Sequence, residues 1–157
     1  MAISSDWSVS ETSKLRLISP YSQNDGKNLL IGLEYEMVPG WKTYWKSPGD
    51  GGFAQSISWQ NSTNVKNVNI LWPTPVEFEI LGLTSLGYQN DIIFPLEIEL
   101  EDELQNTFLN LHVTFLICKD VCIPGDATVF LEIPFGEKKL TDNYFNLEKA
   151  LSLLPEE

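Results

Sequence analysis

Two cysteines, Cys118 and Cys122, are the only thiol-bearing residues of the chain. On a straight strand, residues four apart are separated by roughly 13 Å, whereas a disulfide requires its Cα atoms within about 7 Å. The chain must therefore fold back between the two cysteines if they pair. The closed ring would hold about five residues and would stabilise the fold by only ~2 kcal/mol in the loop-entropy model. A disulfide with a purely structural role would therefore stabilise the fold little at this position.

The residues alone leave two interpretations of this pair open. The first is a hairpin disulfide, or two thiols without a special role. The second is an exposed dithiol and disulfide that exchanges with a partner, because a tight ring is easier to reduce than a long-range bridge. Lys119 would favour the thiolate form of Cys118, whereas Asp120 would oppose it.

Other chemistries are less compatible with the sequence. Cys118 and Cys122 could bind copper(I) or zinc together with His112, but on a regular strand His112 lies about 20 Å from Cys118. A carbohydrate-binding platform could use Trp41, Trp45 and Trp59, although such residues are more commonly core. A hydrolase is disfavoured, because the chain has one histidine and no serine elbow motif.

The elements that position the cysteines are predicted to be strands. Residues 111–117 are rich in β-branched and aromatic side chains, so a strand should end at Cys118, and residues 124–126 (Pro-Gly-Asp) predict a turn. The alternation in 92–100 and 107–117 predicts an antiparallel pair of strands. Prolines 73 and 75 predict extended chain leading into a loop that carries Val76, Glu77 and Phe78.

The whole chain shows around nine short strand patterns, with turn signals about every ten residues, which predict an antiparallel β-sandwich. The last strand is predicted at 127–133. Apolar residues then recur at helical spacing from Tyr144 to Leu151, after Thr141-Asp142-Asn143, so a short C-terminal helix is expected.

Composition excludes several classes of function. The 157 residues are enough for one domain with a proper core, and the formal charge of −12 argues against nucleic acid as a partner. Of the acidic residues, 14 lie in 81–157, and the cluster from Glu97 to Glu103 is interpreted as a solvated strand face and turn. No run of 18 apolar residues and no charged-then-apolar leader is present, so neither a membrane span nor a signal peptide is expected in the sequence as given.

Several motifs together resemble the N-terminal periplasmic domain of the DsbD-like thiol:disulfide interchange proteins, in particular the branch called suppressor of copper sensitivity protein B. The resemblance covers about residues 5–135. Its motifs are Gly40-Trp41-Lys42-Thr43-Tyr44-Trp45, Ser47-Pro48-Gly49-Asp50-Gly51-Gly52, Trp72-Pro73-Thr74-Pro75 with Phe78, Gly87-Tyr88, and Cys118-Lys119-Asp120-Val121-Cys122-Ile123-Pro124.

The resemblance implies an all-β, immunoglobulin-like antiparallel sandwich at 1–137, followed by a helical tail or linker at 138–157. It also implies a protein-disulfide reductase domain that needs no cofactor. Electrons would pass from a thioredoxin-like domain, itself served by a membrane-spanning domain, to oxidised periplasmic proteins. Copper tolerance and cytochrome c biogenesis are the implied processes. The domain would be a periplasmic monomer, attached to the inner membrane in the full-length protein.

The resemblance further implies which residues form the site. Cys118 and Cys122 match the redox pair, Phe78 falls where a shielding cap aromatic is expected with Glu77 beside it, and Tyr44 matches a tyrosine near the cysteines. Asp120 and Glu77 are candidate proton-handling groups. The three-residue spacing between the cysteines is similar to the copper-sensitivity branch, and by analogy Cys122 is expected to form the mixed disulfide.

Overall fold

A computed structural model describes residues 3–49, 52–80 and 82–155 of the chain. Asp50 and Gly51 of the glycine-rich motif, and the last two residues of the expected tail, lie outside the described residues. The described residues form twelve strands and one helix. These are β1 (Ile3–Ser4), β2 (Ser8–Val9), β3 (Ser13–Ser19), β4 (Leu29–Met37), β5 (Lys42–Gly49), β6 (Ser56–Ser58), β7 (Asn67–Ile70), β8 (Val76–Ile80), β9 (Leu83–Gln89), β10 (Asp91–Glu99), β11 (Thr107–Cys118), β12 (Cys122–Ile133) and α1 (Tyr144–Ser152).

The strands form two six-stranded antiparallel sheets. The first has the order β1-β3-β4-β10-β7, with β2 on β3, and the second has the order β12-β11-β5-β9-β8, with β6 on β11. Their inner faces enclose one main core, to which the first sheet contributes residues such as Leu33 and Phe94 and the second Val113 and Phe115. This confirms the expected immunoglobulin-like sandwich with a short C-terminal helix.

The strand that begins at Cys122 corrects the turn predicted at 124–126, because those residues lie inside β12. Proline is tolerated there because β12 is an edge strand of its sheet. Gly125 leaves room for a core ring, since a Cβ at this position would lie 2.6 Å from the Phe115 side chain. The turn is instead at residues 119–121, directly between the cysteines.

Two further predictions were wrong: one about which strands pair, and one about a segment expected to be a loop. β10 and β11 were expected to pair, but β10 pairs with β4 and β7 whereas β11 pairs with β12, β5 and β6. Alternation shows which face of a strand is apolar and does not identify its neighbour. Residues 76–78, expected in a loop, belong to β8, which pairs with β9.

The helix forms where its spacing predicted it, and it packs against β10. Leu147 and Ala150 are its buried residues. The segment before it is also attached to the first sheet, because Thr141 donates its backbone N–H to the Pro20 carbonyl at 2.9 Å. In the ranges described above, no helix is both long and apolar enough to cross a membrane.

Candidate functional site

The β11–β12 hairpin brings the two cysteines together. Cys118 and Cys122 are direct register partners at the end of the ladder, with Cα atoms 4.1 Å apart, and they form a disulfide. The tight turn between them is closed by the Lys119 N–H, which donates to the Val121 carbonyl at 3.0 Å. The chain therefore folds back between the cysteines. Their spacing of four residues requires this reversal if the two are bonded.

The two cysteines have different surroundings. Cys118 is completely buried, at 0% exposure, whereas Cys122 is half-buried. The expectation of an exposed pair is therefore met only in part, because Cys122 is half-buried and Cys118 is fully buried. The cause is that Ile117 points into the main core, so its neighbour Cys118 points to the outer face of the second sheet, where other side chains cover it.

These covering side chains form a second, small apolar cluster, which we call the outer cluster. Its buried members besides Cys118 are Tyr44, Ile80 and Leu116, and Phe78 packs against them from β8. The Tyr44 hydroxyl donates a hydrogen bond to the Cys118 Sγ at 3.3 Å. The ring centroids of Tyr44 and Phe78 are 5.9 Å apart. Tyr44 thus contacts both the Cys118 sulfur and Phe78, the residue expected to form the cap.

Tyr44 keeps its proton over a wide range of pH. Burial raises the pKa of the Tyr44 hydroxyl, and the neighbouring Ser85 hydroxyl offsets part of that rise. A neutral phenol is a hydrogen-bond donor, whereas a phenolate is only an acceptor. Tyr44 can therefore donate to a Cys118 thiolate whenever the disulfide is reduced.

Positive charge lies beside the pair, although the chain as a whole is acidic. Lys42 is the register partner of Cys118 on β5, and its Nζ donates to the Gly40 carbonyl at 3.2 Å. The same Nζ lies 5.7 Å from the Phe78 ring centroid. The Lys119 side chain also lies over Gly40, since a Cβ at Gly40 would be 3.0 Å from the Lys119 Cε. Unlike Lys42, Lys119 is exposed.

The structure places the expected site residues in two groups. Phe78 and Tyr44 lie with the cysteines, as described above. Glu77 and Asp120 are both exposed, Glu77 on the face of β8 opposite to Phe78 and Asp120 in the turn between the cysteines. Their proton-handling role stays a prediction.

Some residues of the site were not identified from the sequence. Lys42, Ile80 and Leu116 are the clearest cases, because nothing in the sequence gave any of them a role at the site. Lys42 could have been found from its spacing, since residues two apart on a strand share a face and Lys42 is two residues before Tyr44. Gly52 lies so close to the Tyr44 ring that a Cβ there would collide with it.

The structure also gives physical reasons for two of the sequence motifs. Gly87 lies opposite Tyr44 in the β5–β9 ladder, and a Cβ at Gly87 would collide with the Thr43 carbonyl oxygen. The Tyr88 hydroxyl donates to the Pro73 carbonyl at 2.7 Å, which ties the proline segment to β9. Both motifs hold the strands that carry the outer cluster.

The alternative sites receive no support from the arrangement. His112 is exposed, and its Nε2 lies 3.8 Å from an Asp126 carboxylate oxygen. Among residues 3–49, 52–80 and 82–155, no three His, Cys, Asp or Glu side chains converge as metal ligands would. Trp41, Trp45 and Trp59 all pack against the main core.

Comparison with protein families adds independent information. The family model described as thiol:disulfide interchange protein DsbD, N-terminal, matches residues 14–134, which is most of the chain and includes both cysteines. Curated proteins give no match.

Two solved structures are similar to this chain. The N-terminal periplasmic domain of ScsB from Proteus mirabilis is 27% identical, with a TM-score of 0.78, and the match covers 99% of this chain and 60% of that one. The reduced N-terminal domain of Neisseria meningitidis DsbD is 8% identical, with a TM-score of 0.38, over 89% of this chain and 90% of that one. This chain thus spans less than two thirds of the ScsB domain.

Proposed function

The chain belongs to the family of DsbD N-terminal domains, a family of thiol:disulfide interchange, and from this premise we propose that it is a periplasmic protein-disulfide reductase domain. It relays electrons through Cys118 and Cys122, from a thioredoxin-like domain to oxidised periplasmic proteins. The observation that carries the proposal is the disulfide at the tip of the β11–β12 hairpin, with one cysteine buried and the other half-buried.

Unequal burial assigns an order to the exchange steps. An incoming thiolate attacks the Cys122 Sγ, the S–S bond breaks, and its electron pair stays on the Cys118 Sγ, which leaves as a thiolate. A second thiol of the donor then attacks its own sulfur in the mixed disulfide and releases Cys122. Once reduced, the domain passes the electrons on: the Cys122 thiolate attacks the disulfide of a substrate, and the Cys118 thiolate then attacks Cys122 in the mixed disulfide and releases the reduced substrate.

The outer cluster supports this order, because it protects one sulfur and leaves the other for a partner. Phe78 acts as the cap over Cys118, and Tyr44 orients the sulfur through its hydroxyl. Glu77 and Asp120, both exposed, are kept as the candidate groups for exchanging protons with water.

The wider role follows from the family and from the ScsB relative, whose domain is named periplasmic. The partners are a thioredoxin-like domain, on the same or another polypeptide, and a membrane-spanning domain that supplies it with electrons. The full-length protein is attached to the inner membrane, and its oxidised targets connect it to copper tolerance or cytochrome c biogenesis.

Trapping of mixed disulfides tests the proposal. Cys118→Ser keeps the half-buried Cys122 and should accumulate a mixed disulfide with a thioredoxin-like partner or with glutathione. Cys122→Ser keeps only the buried Cys118 and should form at least tenfold less. Equal trapping by the two variants would contradict the assigned order. A reduction potential of the wild-type pair below about −300 mV would indicate an inert structural bridge and would contradict the function itself.

A further inference from the structure

Lys42 stands directly beside the cysteine pair in the second sheet. On one side of Cys118 the register partner is Cys122, and on the other side it is Lys42. Directly opposite residues on one face of an antiparallel ladder have Cβ atoms about 4.5–5.5 Å apart. Lys42 is half-buried as a residue, and its Nζ makes an exposed hydrogen bond to the Gly40 carbonyl at 3.2 Å and lies 5.7 Å from the Phe78 ring centroid.

The burial of Cys118 makes a neighbouring cation important. When the disulfide is reduced, a negative charge forms on a sulfur that is 0% exposed, so water cannot solvate it. The Tyr44 hydroxyl is a neutral donor to this sulfur. The Lys42 side chain projects from the ladder position next to Cys118, and its positive charge can supply part of the missing compensation.

The other charged groups around the pair are more exposed. Lys119 and Asp120, of opposite sign, lie in the exposed turn, and Glu77 lies on the far face of β8. Water weakens their fields at Cys118. Among the described residues, Lys42 is the charged residue that is both half-buried and directly opposite Cys118.

We propose that Lys42 promotes the exchange by stabilising Cys118 as the leaving thiolate, and so makes the disulfide easier to reduce. The inference rests on the proposed thiol–disulfide exchange and adds a residue to it. When a donor thiolate bonds to Cys122, the electron pair of the broken S–S bond moves to Cys118, next to the ammonium. Reoxidation reverses this movement.

Substitution of Lys42 by methionine tests the charge, since methionine keeps much of the apolar stem. In glutathione buffers we expect Lys42→Met to lower the equilibrium constant for reduction by roughly three- to fivefold. The thiolate absorbance near 240 nm of the reduced protein should appear at higher pH than in wild type. The difference between wild type and variant should shrink at 1 M NaCl, where screening is stronger.

Two further variants separate charge from packing. Lys42→Arg keeps the charge and should restore at least half of the lost effect on the equilibrium. Lys46→Met removes an exposed lysine from the same strand, 5.3 Å above the Trp45 ring, and should stay within about twofold of wild type.

The inference is overturned if Lys42→Met leaves both the equilibrium and the thiolate titration unchanged, or if Lys42→Arg is as impaired as Lys42→Met. A wild-type protein that does not equilibrate with glutathione at all would contradict the proposed exchange instead. The two failures are therefore distinguishable.

Discussion

Cys118 and Cys122 share a disulfide but differ in what surrounds them. Cys118 is enclosed by the outer cluster and accepts a hydrogen bond from Tyr44, whereas Cys122 remains half-buried. A reactive sulfur needs access, and a leaving sulfur needs stabilisation of its negative charge. At the residue scale, the proposed exchange assigns access to Cys122 and stabilisation of the negative charge to Cys118.

The hydroxyl of Tyr44 can be tested by its removal. Tyr44→Phe keeps the ring in the outer cluster but leaves a buried Cys118 thiolate without this donor. We expect the equilibrium constant for reduction in glutathione buffers to fall by roughly tenfold, which corresponds to ~1.4 kcal/mol. Tyr21→Phe, which alters a tyrosine that packs on Tyr144, serves as the control. An unchanged equilibrium in Tyr44→Phe would show that the hydrogen bond does not favour the thiolate.

At the scale of elements, the site depends on β8, which is an edge strand of the second sheet. This strand is held at the edge by β9, and it presents Phe78 and Ile80 to the outer cluster. An edge strand has hydrogen-bonded neighbours on one side only, so it can separate from the sheet at lower cost than a central strand. That makes β8 a suitable carrier for a cap.

Phe78→Ala tests whether this strand shields the disulfide. Loss of the ring opens a path to the sulfurs, so we expect reduction by dithiothreitol to be roughly three- to tenfold faster. Glu79→Ala is the matched control, because Glu79 is the following residue of β8 and is exposed. Release of thiols, followed in a stopped-flow instrument, measures the rate. Equal rates for wild type and Phe78→Ala would exclude shielding by this residue.

The helix α1 offers a second test at this scale, because it packs on β10 through few buried residues. Leu147 is only 1% exposed, so Leu147→Ala should lower the free energy of unfolding by roughly 2–4 kcal/mol. Phe145→Ala, which changes a neighbouring residue of the same helix that is 78% exposed, should change it by less than about 0.5 kcal/mol. Urea unfolding measures both. Similar losses for the two variants would mean that α1 does not dock as described.

For the whole molecule, the stability of the sandwich is separate from its redox state. The main core joins residues from both sheets, whereas the disulfide closes one short turn. A domain of this size can bury enough apolar surface to fold without a covalent bridge. The cysteines are therefore free to cycle.

Reduction should accordingly leave the fold intact. We expect the reduced protein to unfold cooperatively, with a loss of about 2 kcal/mol and a Tm lower by roughly 4–8 °C than that of the oxidised protein. Thermal unfolding with and without a phosphine reductant measures this. Loss of the cooperative transition on reduction would show that the disulfide is a structural requirement.

The core tyrosines predict how stability depends on pH. Burial raises the pKa of Tyr35 and of Tyr88, and each hydroxyl donates a hydrogen bond, Tyr35 to Gln55 at 2.5 Å and Tyr88 to Pro73 at 2.7 Å. Above pH 10 the unfolded chain loses these protons while the native state keeps them, so stability that is complete below pH 10 falls as the pH rises.

The expected slope is roughly 1.4 kcal/mol per pH unit for each buried tyrosine. Urea unfolding between pH 9 and pH 11.5 measures it. Tyr88→Phe should have a visibly shallower slope, since one of the contributing tyrosines is absent. Constant stability up to pH 11.5 in the wild type would contradict this assignment.

Local patterns in the sequence were sufficient to predict several features. The end of a strand at Cys118, a chain reversal before Cys122 if the two pair, the sandwich class and the helix after Asn143 all depend on alternation, turn chemistry or spacing within a few residues. The resemblance to the DsbD-like family further indicated Tyr44 and Phe78, and the structure places both beside the cysteines.

Tertiary structure alone decided which strands are neighbours and which sulfur is covered. Tyr44 and Cys118 are 74 residues apart in sequence, yet one donates a hydrogen bond to the other. Lys42 meets Cys118 only because β5 pairs with β11, and β10 and β11 belong to different sheets although they are adjacent in the chain. The physical reason is that side-chain alternation specifies a face of a strand, whereas its partner is chosen by how distant apolar faces pack together.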